Sequence, residues 1–254
     1  MALAVESPGF HYPNAPIAEA VFDVRVAELG GPELSRVMSF ADDGYPTRQE
    51  STLSGAEVES GPLGVTTRAI RKMNGLRLTS EDGRQIAQLR TDGFSFSRLA
   101  PYEDWSTFFA EARRLWCSYV DVAQPGQTTR FAVRYINQIV VPPGSVSIDD
   151  YLRTRPEISD DMPTATSGFF LTLDIPLPMF GATVRIIETV LAPNEEDPRP
   201  RLVLDIDAFR EVDEPAANDA AAMSRFDTVF QDLRNAKNLV FEASITDRAR
   251  ELFR

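Results

Sequence analysis

The stretch 131-FAVRYINQIVV-141 decides how this chain is read. In a strand, successive side chains point to opposite faces. Phe131, Val133, Tyr135, Asn137 and Ile139 therefore share one face, and Ala132, Arg134, Ile136, Gln138 and Val140 share the other. The first face is the more apolar and should meet a core, yet Asn137 interrupts it. A buried amide needs hydrogen-bond partners, so Asn137 is expected to be a satisfied core residue, to mark a bulge, or to touch a ligand. Arg134 poses a second question, namely what it faces.

Working outward, a similar segment stands near the start of the chain. AVFDVRVA (Ala20–Ala27) alternates as a strand, with Phe22, Val24 and Val26 on one face and Val21, Asp23 and Arg25 on the other. Phe22-Asp23-Val24-Arg25 matches Phe131-Ala132-Val133-Arg134 at an offset of 109. The order of elements agrees too. A short helix is predicted over Glu33–Ala41, and strands over Leu53–Glu59, Val65–Leu78, Arg84–Arg90 and Phe94–Leu99. The Asp-Gly pairs in SEDGR and TDG are hairpin signals, because such turns need a positive φ. The clearest helix follows, with Trp105, Phe108, Phe109, Ala112, Leu115, Trp116 and Tyr119 at helical spacing. After 131–141 comes a short helix at Ile148–Arg153, then strands at Gly168–Ile175, Thr183–Leu191 and Arg201–Ile206. A loop is predicted over Asp213–Ala221 and a long helix over Ala221–Lys237, with a short terminal helix capped by Ser244 or Thr246.

The fold class expected is α+β. Two β-α-β(3–4)-α repeats would build antiparallel sheet packed by two long amphipathic helices. The divisions are an arm over 1–16, a first repeat over 17–123 and a second over 128–254, together one compact domain. This element order resembles that of TATA-binding-protein-like folds, a likeness that carries no function.

Composition removes several chemistries. The 254 residues carry 26 basic and 38 acidic side chains, a net charge of −12, which repels nucleic acid and anionic membranes. No apolar run approaches the ~20 residues of a membrane span, and MALAVESPGF has no features of a signal peptide, so a cytoplasmic protein is expected. The single cysteine, Cys117, excludes an internal disulfide. It follows Trp116 in the long helix and reads as a small buried residue and not a reactive thiol. The single histidine, His11, lies in the Pro-rich arm, so a zinc site or a histidine-based triad lacks ligands; no cofactor or metal is expected. Of the basic residues only Lys72 and Lys237 are lysines.

Six residues are candidates for ligand binding: Arg25, Arg134, Asn137, Glu19, Asp23 and Glu188. Two arginines at matched places in two repeats could hold a carboxylate or phosphate. Equally, each could pair with a nearby carboxylate such as Asp23, Glu188 or Asp207. Glu19, Asp23, Glu188, Asp205 and Asp207 could form an acid–base or metal pair, or simply line solvated strand faces. Arg68, Arg71, Lys72 and Arg77 form the one basic cluster, split over both faces of a strand.

PIAEAVFDVRV, FSFSRLAPYEDWSTFFAEARRLW, RFAVRYINQIVVP and LRNAKNLVFEASITDRARELF, in that order, resemble a sporadically distributed family of conserved hypothetical bacterial proteins of unknown function. The resemblance implies a bacterial protein and no particular activity. Its patchy distribution would suit mobile genes such as toxin–antitoxin or phage-defence cargo. The function expected is a non-enzymatic protein-binding or regulatory module, with another protein or a second copy as partner and without nucleic acid or membrane. The alternative is an enzyme for a phosphate-bearing anion in an Arg- and carboxylate-lined sheet cavity, although the ExExK signature of triphosphate-tunnel enzymes is absent after Glu19.

Overall fold

The structure, a computed structural model, describes residues 12–61, 64–142, 147–154, 156, 159, 161, 168–191 and 199–254, and of 53–72 the backbone only. His11, the first residues of the arm, and the side chains of Arg68, Arg71 and Lys72 lie outside the described residues. The chain is α+β; its described residues form four helices and one nine-stranded antiparallel sheet.

The strands are β1 (Ile17–Val26), β2 (Thr47–Gly61), β3 (Gly64–Thr79), β4 (Gln85–Arg90), β5 (Gly93–Leu99), β6 (Gln127–Val140), β7 (Phe170–Leu177), β8 (Ala182–Leu191) and β9 (Arg201–Pro215). Their order across the sheet is β2-β3-β4-β5-β1-β6-β9-β8-β7. The two segments matched in sequence, β1 and β6, thus lie side by side at the middle, with Val21 opposite Arg134 and Arg25 opposite Arg130. Both Asp-Gly signals are hairpin turns. Gly83 has φ +72°, and a Cβ on Gly93 would stand 2.2 Å from the Val24 carbonyl oxygen of the neighbouring strand, an approach only glycine permits.

The helices are α1 (Gly31–Ser39), α2 (Trp105–Ala123), α3 (Ala220–Ser244) and α4 (Asp247–Glu251). Asp104 caps α2 by accepting from the Thr107 amide, and Asp219 caps α3 through the amides of Ala221 and Ala222. The core face of the sheet presents Phe22, Phe94, Phe96, Phe131 and Val133 to the stripes of α2 and α3. Phe230 of α3 stacks on Phe22 of β1 at 4.3 Å and meets Phe131 of β6 edge-on at 5.5 Å. One helix side chain therefore covers the junction of the two central strands. Burying such a ring stabilises the fold by about 2–3 kcal/mol. Cys117 is partly buried, with its sulfur 4.0 Å from that of Met223.

Element boundaries differ from the sequence reading: β2 begins at Thr47 and not Leu53, the helix expected over Ile148–Arg153 is a 3₁₀ turn over Ile148–Asp150, and β9 and α3 run on. β9 runs on to Pro215, through the first three residues of the predicted loop, because β6 opposite it begins early, at Gln127, and pairs with it throughout. α3 runs to Ser244 and not to Lys237, since Val240 and Ser244 continue its buried stripe. The described part of the arm is strapped down. The Asn14 amide donates to the Phe253 carbonyl at 3.0 Å, and the Tyr12 and Phe253 rings meet at 5.6 Å.

Candidate functional site

The two faces of the sheet treat charge differently. On the face away from the helices, guanidinium and carboxylate groups neutralise one another. Arg90 donates to Asp23 at 3.0 Å; Arg130 reaches Asp23 at 3.2 Å and Asp207 at 2.6 Å. Arg134 forks onto Asp205 with bonds of 2.8 and 2.5 Å, and Arg201 donates to Gln138 at 3.0 Å. The Asp207 carboxyl is pushed up by burial despite Arg130. These pairs hold strand to strand across β4, β5, β1, β6 and β9.

Five of the six candidates are thereby placed away from any cavity. Arg134 belongs to its Asp205 pair, which holds it above the usual guanidinium range. Arg25 is exposed, 3.9 Å from Asp23. It lies four residues along the sheet from Arg134, about 13 Å, and shares no pocket with it. Asp23 is the hub of the network, and Glu19 adds to the field at Arg134. Glu188 faces the core instead. It is fully buried between Leu171 and Leu204, neither oxygen has a hydrogen-bond partner among the described residues, and burial pushes its carboxyl up to about 7.

The sixth, Asn137, opens onto something else. Its amide donates to the Leu204 carbonyl at 2.9 Å, and one extra residue in β1 makes a bulge beside it, between Ile17 and Glu19. Asn137 and Tyr135 form the floor of a cavity of about 870 Å³. One wall is α3, where Arg234, Lys237, Asn238 and Phe241 recur at helical spacing. A second wall is the β5–α2 connection, from Ala100 through Tyr102 to Trp105, and a third is the arm from Tyr12 to Ile17. A volume of this order suits a small organic molecule.

The carboxylates lining the cavity are all engaged. Glu103 accepts from Arg98 at 2.8 Å, Asp104 caps α2, and Glu242 accepts from Arg250 at 3.1 Å and from the Tyr12 hydroxyl at 2.9 Å. The two cations have only aromatic partners. Lys237 sits with its ammonium 3.8 Å above the centre of the Tyr135 ring, and Arg234 lies 5.4 Å from the Trp105 ring. Neither makes a hydrogen bond or ion pair among the described residues. Burial, helped by the neighbouring charge of Arg234, pushes the Lys237 ammonium down to about 7; Glu242 opposes this weakly. Tyr102 and Tyr135 share a hydroxyl hydrogen bond of 2.7 Å. Burial raises Tyr102 to about 12 and Tyr135 well above its ordinary value, so both stay protonated donors at neutral pH. Tyr12 is raised to about 12 by burial and by Glu242.

Arg234, Lys237, Tyr102 and Trp105 are thus the cavity-lining side chains that sequence reasoning did not single out as site residues. One signal was present. The buried residues of α3 include Met223, Phe226, Phe230, Leu233, Val240 and Ser244, and Lys237, half-buried, stands in line with them at helical spacing, where an apolar residue would be expected. Among the described residues no group of three or more His, Cys, Asp or Glu could hold a metal ion, and no helix is long and apolar enough to cross a membrane.

The fold and site define an α+β protein with one antiparallel sheet and an aromatic, cation-bearing cavity between its helix layer and its arm. No family model matches the chain, and no curated protein and no solved structure matches it either.

Proposed function

We propose that the chain is a regulatory binding module whose input is a small anionic molecule with an apolar body, taken into the cavity over β6. Occupancy would be passed to a protein partner or to a second copy of the chain. The observation that carries this reading is the pair Arg234 and Lys237. In a chain of net charge −12, they are cations turned into a cavity with aromatic neighbours and no carboxylate of their own. An anion there gains two charge-assisted contacts, and its apolar body packs on Tyr102, Trp105 and Ile17. The open-face arginines are already neutralised, which leaves little for a phosphate-bearing substrate or a nucleic acid. Partner binding is supported by Phe170, 71% exposed on the edge strand β7.

The finer architecture follows the same reading. A duplicated β-α-β(3–4)-α unit in TATA-binding-protein-like order is supported by β1 and β6 meeting at the centre with β5 and β9 as their outer neighbours. Among the described residues the second unit has one strand fewer, and a 3₁₀ turn at Ile148–Asp150 stands where the first has α1. The resemblance to sporadically distributed bacterial proteins supports a cytoplasmic, mobile-gene setting.

Titration calorimetry with phenylacetate and phenyl phosphate tests the ligand class. Binding should weaken at least about tenfold in Arg234→Ala, the loss of one charge-assisted contact, and stay unchanged in Arg134→Ala. No heat and no thermal shift with either compound at about 10 mM, or a loss in Arg134→Ala alone, would overturn the reading.

A further inference from the structure

We infer that Lys237 captures carbonyl compounds covalently, and that the cavity's ligands are small 2-oxo acids with an apolar or aromatic body. This rests on the reading of the cavity as an anion site and assigns its two cations different tasks. Arg234 holds the carboxylate through its planar fork. Lys237, three residues further along α3 on the same wall, presents an amine to the adjacent carbonyl carbon.

Three observations support the division. The Lys237 ammonium has no hydrogen-bond or ion-pair partner among the described residues and lies over the face of Tyr135, so nothing ties it away from the cavity. Its surroundings hold much of it as free amine at neutral pH, the form that attacks a carbonyl. And the chain uses arginine almost throughout, with Lys72 the only other lysine among 26 basic residues. If position 237 required charge alone, arginine would serve; only a lysine can form an imine.

The step balances without a co-reactant. The amine nitrogen adds to the carbonyl carbon, and the π pair moves to oxygen, which takes one amine proton. The carbon–oxygen bond of this carbinolamine then breaks, and the oxygen leaves as water with the second amine proton. Tyr102 and Tyr135 line the cavity with their hydroxyls joined at 2.7 Å; one proton serves that bond, and the other is left to hydrogen-bond the departing oxygen.

The experiment is reductive trapping of the full chain with phenylpyruvate and cyanoborohydride at neutral pH, followed by intact-mass analysis and peptide mapping. The expected result is one adduct per chain, of the ligand's mass less one oxygen, on Lys237 and not on Lys72. Lys237→Arg should abolish the adduct while phenylacetate still binds. Arg234→Ala should slow trapping by about tenfold. Should Lys237→Arg fail to fold, as judged by circular dichroism, the mapped position in the unaltered chain still decides. Phenylpyruvate that binds without trapping, or trapping that spreads equally to Lys72, overturns the inference and leaves the anion site standing; phenylacetate and phenylpyruvate both failing to bind sinks both.

Discussion

Replacing Glu188 by leucine should stabilise the fold, by an amount that grows with pH. Glu188 lies on β8 with no exposed surface, flanked by Leu171 and Leu204, and its two oxygens have no partner among the described residues. Burial raises its carboxyl from 4.5 to about 7. Below pH 4.5 folded and unfolded chains both hold the proton, and the cost is that of one unpaired polar group, about 1–3 kcal/mol. Between pH 4.5 and 7 the unfolded chain releases the proton while the folded chain keeps it, so stability falls as pH rises. Across that window the loss comes to about 3 kcal/mol at ~1.4 kcal/mol per pH unit, and above pH 7 it is constant. Leucine removes both costs and fits among leucines with a similar volume. Urea unfolding of the two proteins at intervals from pH 4.5 to 8 isolates the effect, because every other titrating group cancels in the difference. At pH 8 the variant, relieved of about 4–6 kcal/mol, should melt roughly 8–12 °C higher. A stability difference that does not change with pH, or a variant weaker than the parent at pH 8, would refute the assignment of Glu188 as a buried, unpartnered acid.

Other perturbations test other parts of the structure. Phe230→Ala should cost about 3–5 kcal/mol by denaturant unfolding, since the ring fills the junction between β1, β6 and both long helices. Lys237→Met should stabilise the chain most below pH 7. Its advantage should fade towards pH 10.5, because the parent gains stability as its buried ammonium deprotonates while the unfolded chain stays charged; a pH series of melting temperatures reads this directly. Arg134→Ala leaves Asp205, only 7% exposed, without its cation, and should cost about 2–3 kcal/mol. A double-mutant cycle with Asp205→Asn should recover part of that loss.

What the sequence disclosed was whatever depends on neighbours along the chain. The face assignment in Phe131–Val141 rests on a period of two and places Asn137 and Tyr135 together, as the structure does. The glycines at 83 and 93 and the aromatic stripe of α2 are equally local. The partners of Arg134 were not legible in this way. Asp205 lies 71 residues away, and only the antiparallel register of β6 with β9 brings the two together. The cavity was still less accessible. Its walls come from the arm, the β5–α2 connection, β6 and α3, four segments whose meeting depends on how the sheet places them.

The distribution of basic residues explains why the candidates and the cavity parted company. A guanidinium on an open sheet face is within reach of carboxylates on the neighbouring strands, and a chain with 38 acidic residues supplies them, so Arg90, Arg130 and Arg134 pair across strands. A cation on the core-facing side of a helix has fewer such neighbours, and the carboxylates that line this cavity are engaged elsewhere. The positions three and four residues away from Lys237 on the core side are Leu233 and Val240, and the floor beneath it is an aromatic ring. Pairing in the first setting is nearly automatic in an acidic chain, and it offsets desolvation of groups such as Asp207. Leaving a cation unpaired in the second has a desolvation cost that shows in its lowered proton affinity. Sequence reasoning that searched for arginines at matching strand positions therefore found groups the fold consumes for its own cohesion. A search for a basic residue where the helical period demands an apolar one would have stopped at Lys237. That criterion needs no homologue, because it compares one residue with the pattern its own neighbours impose.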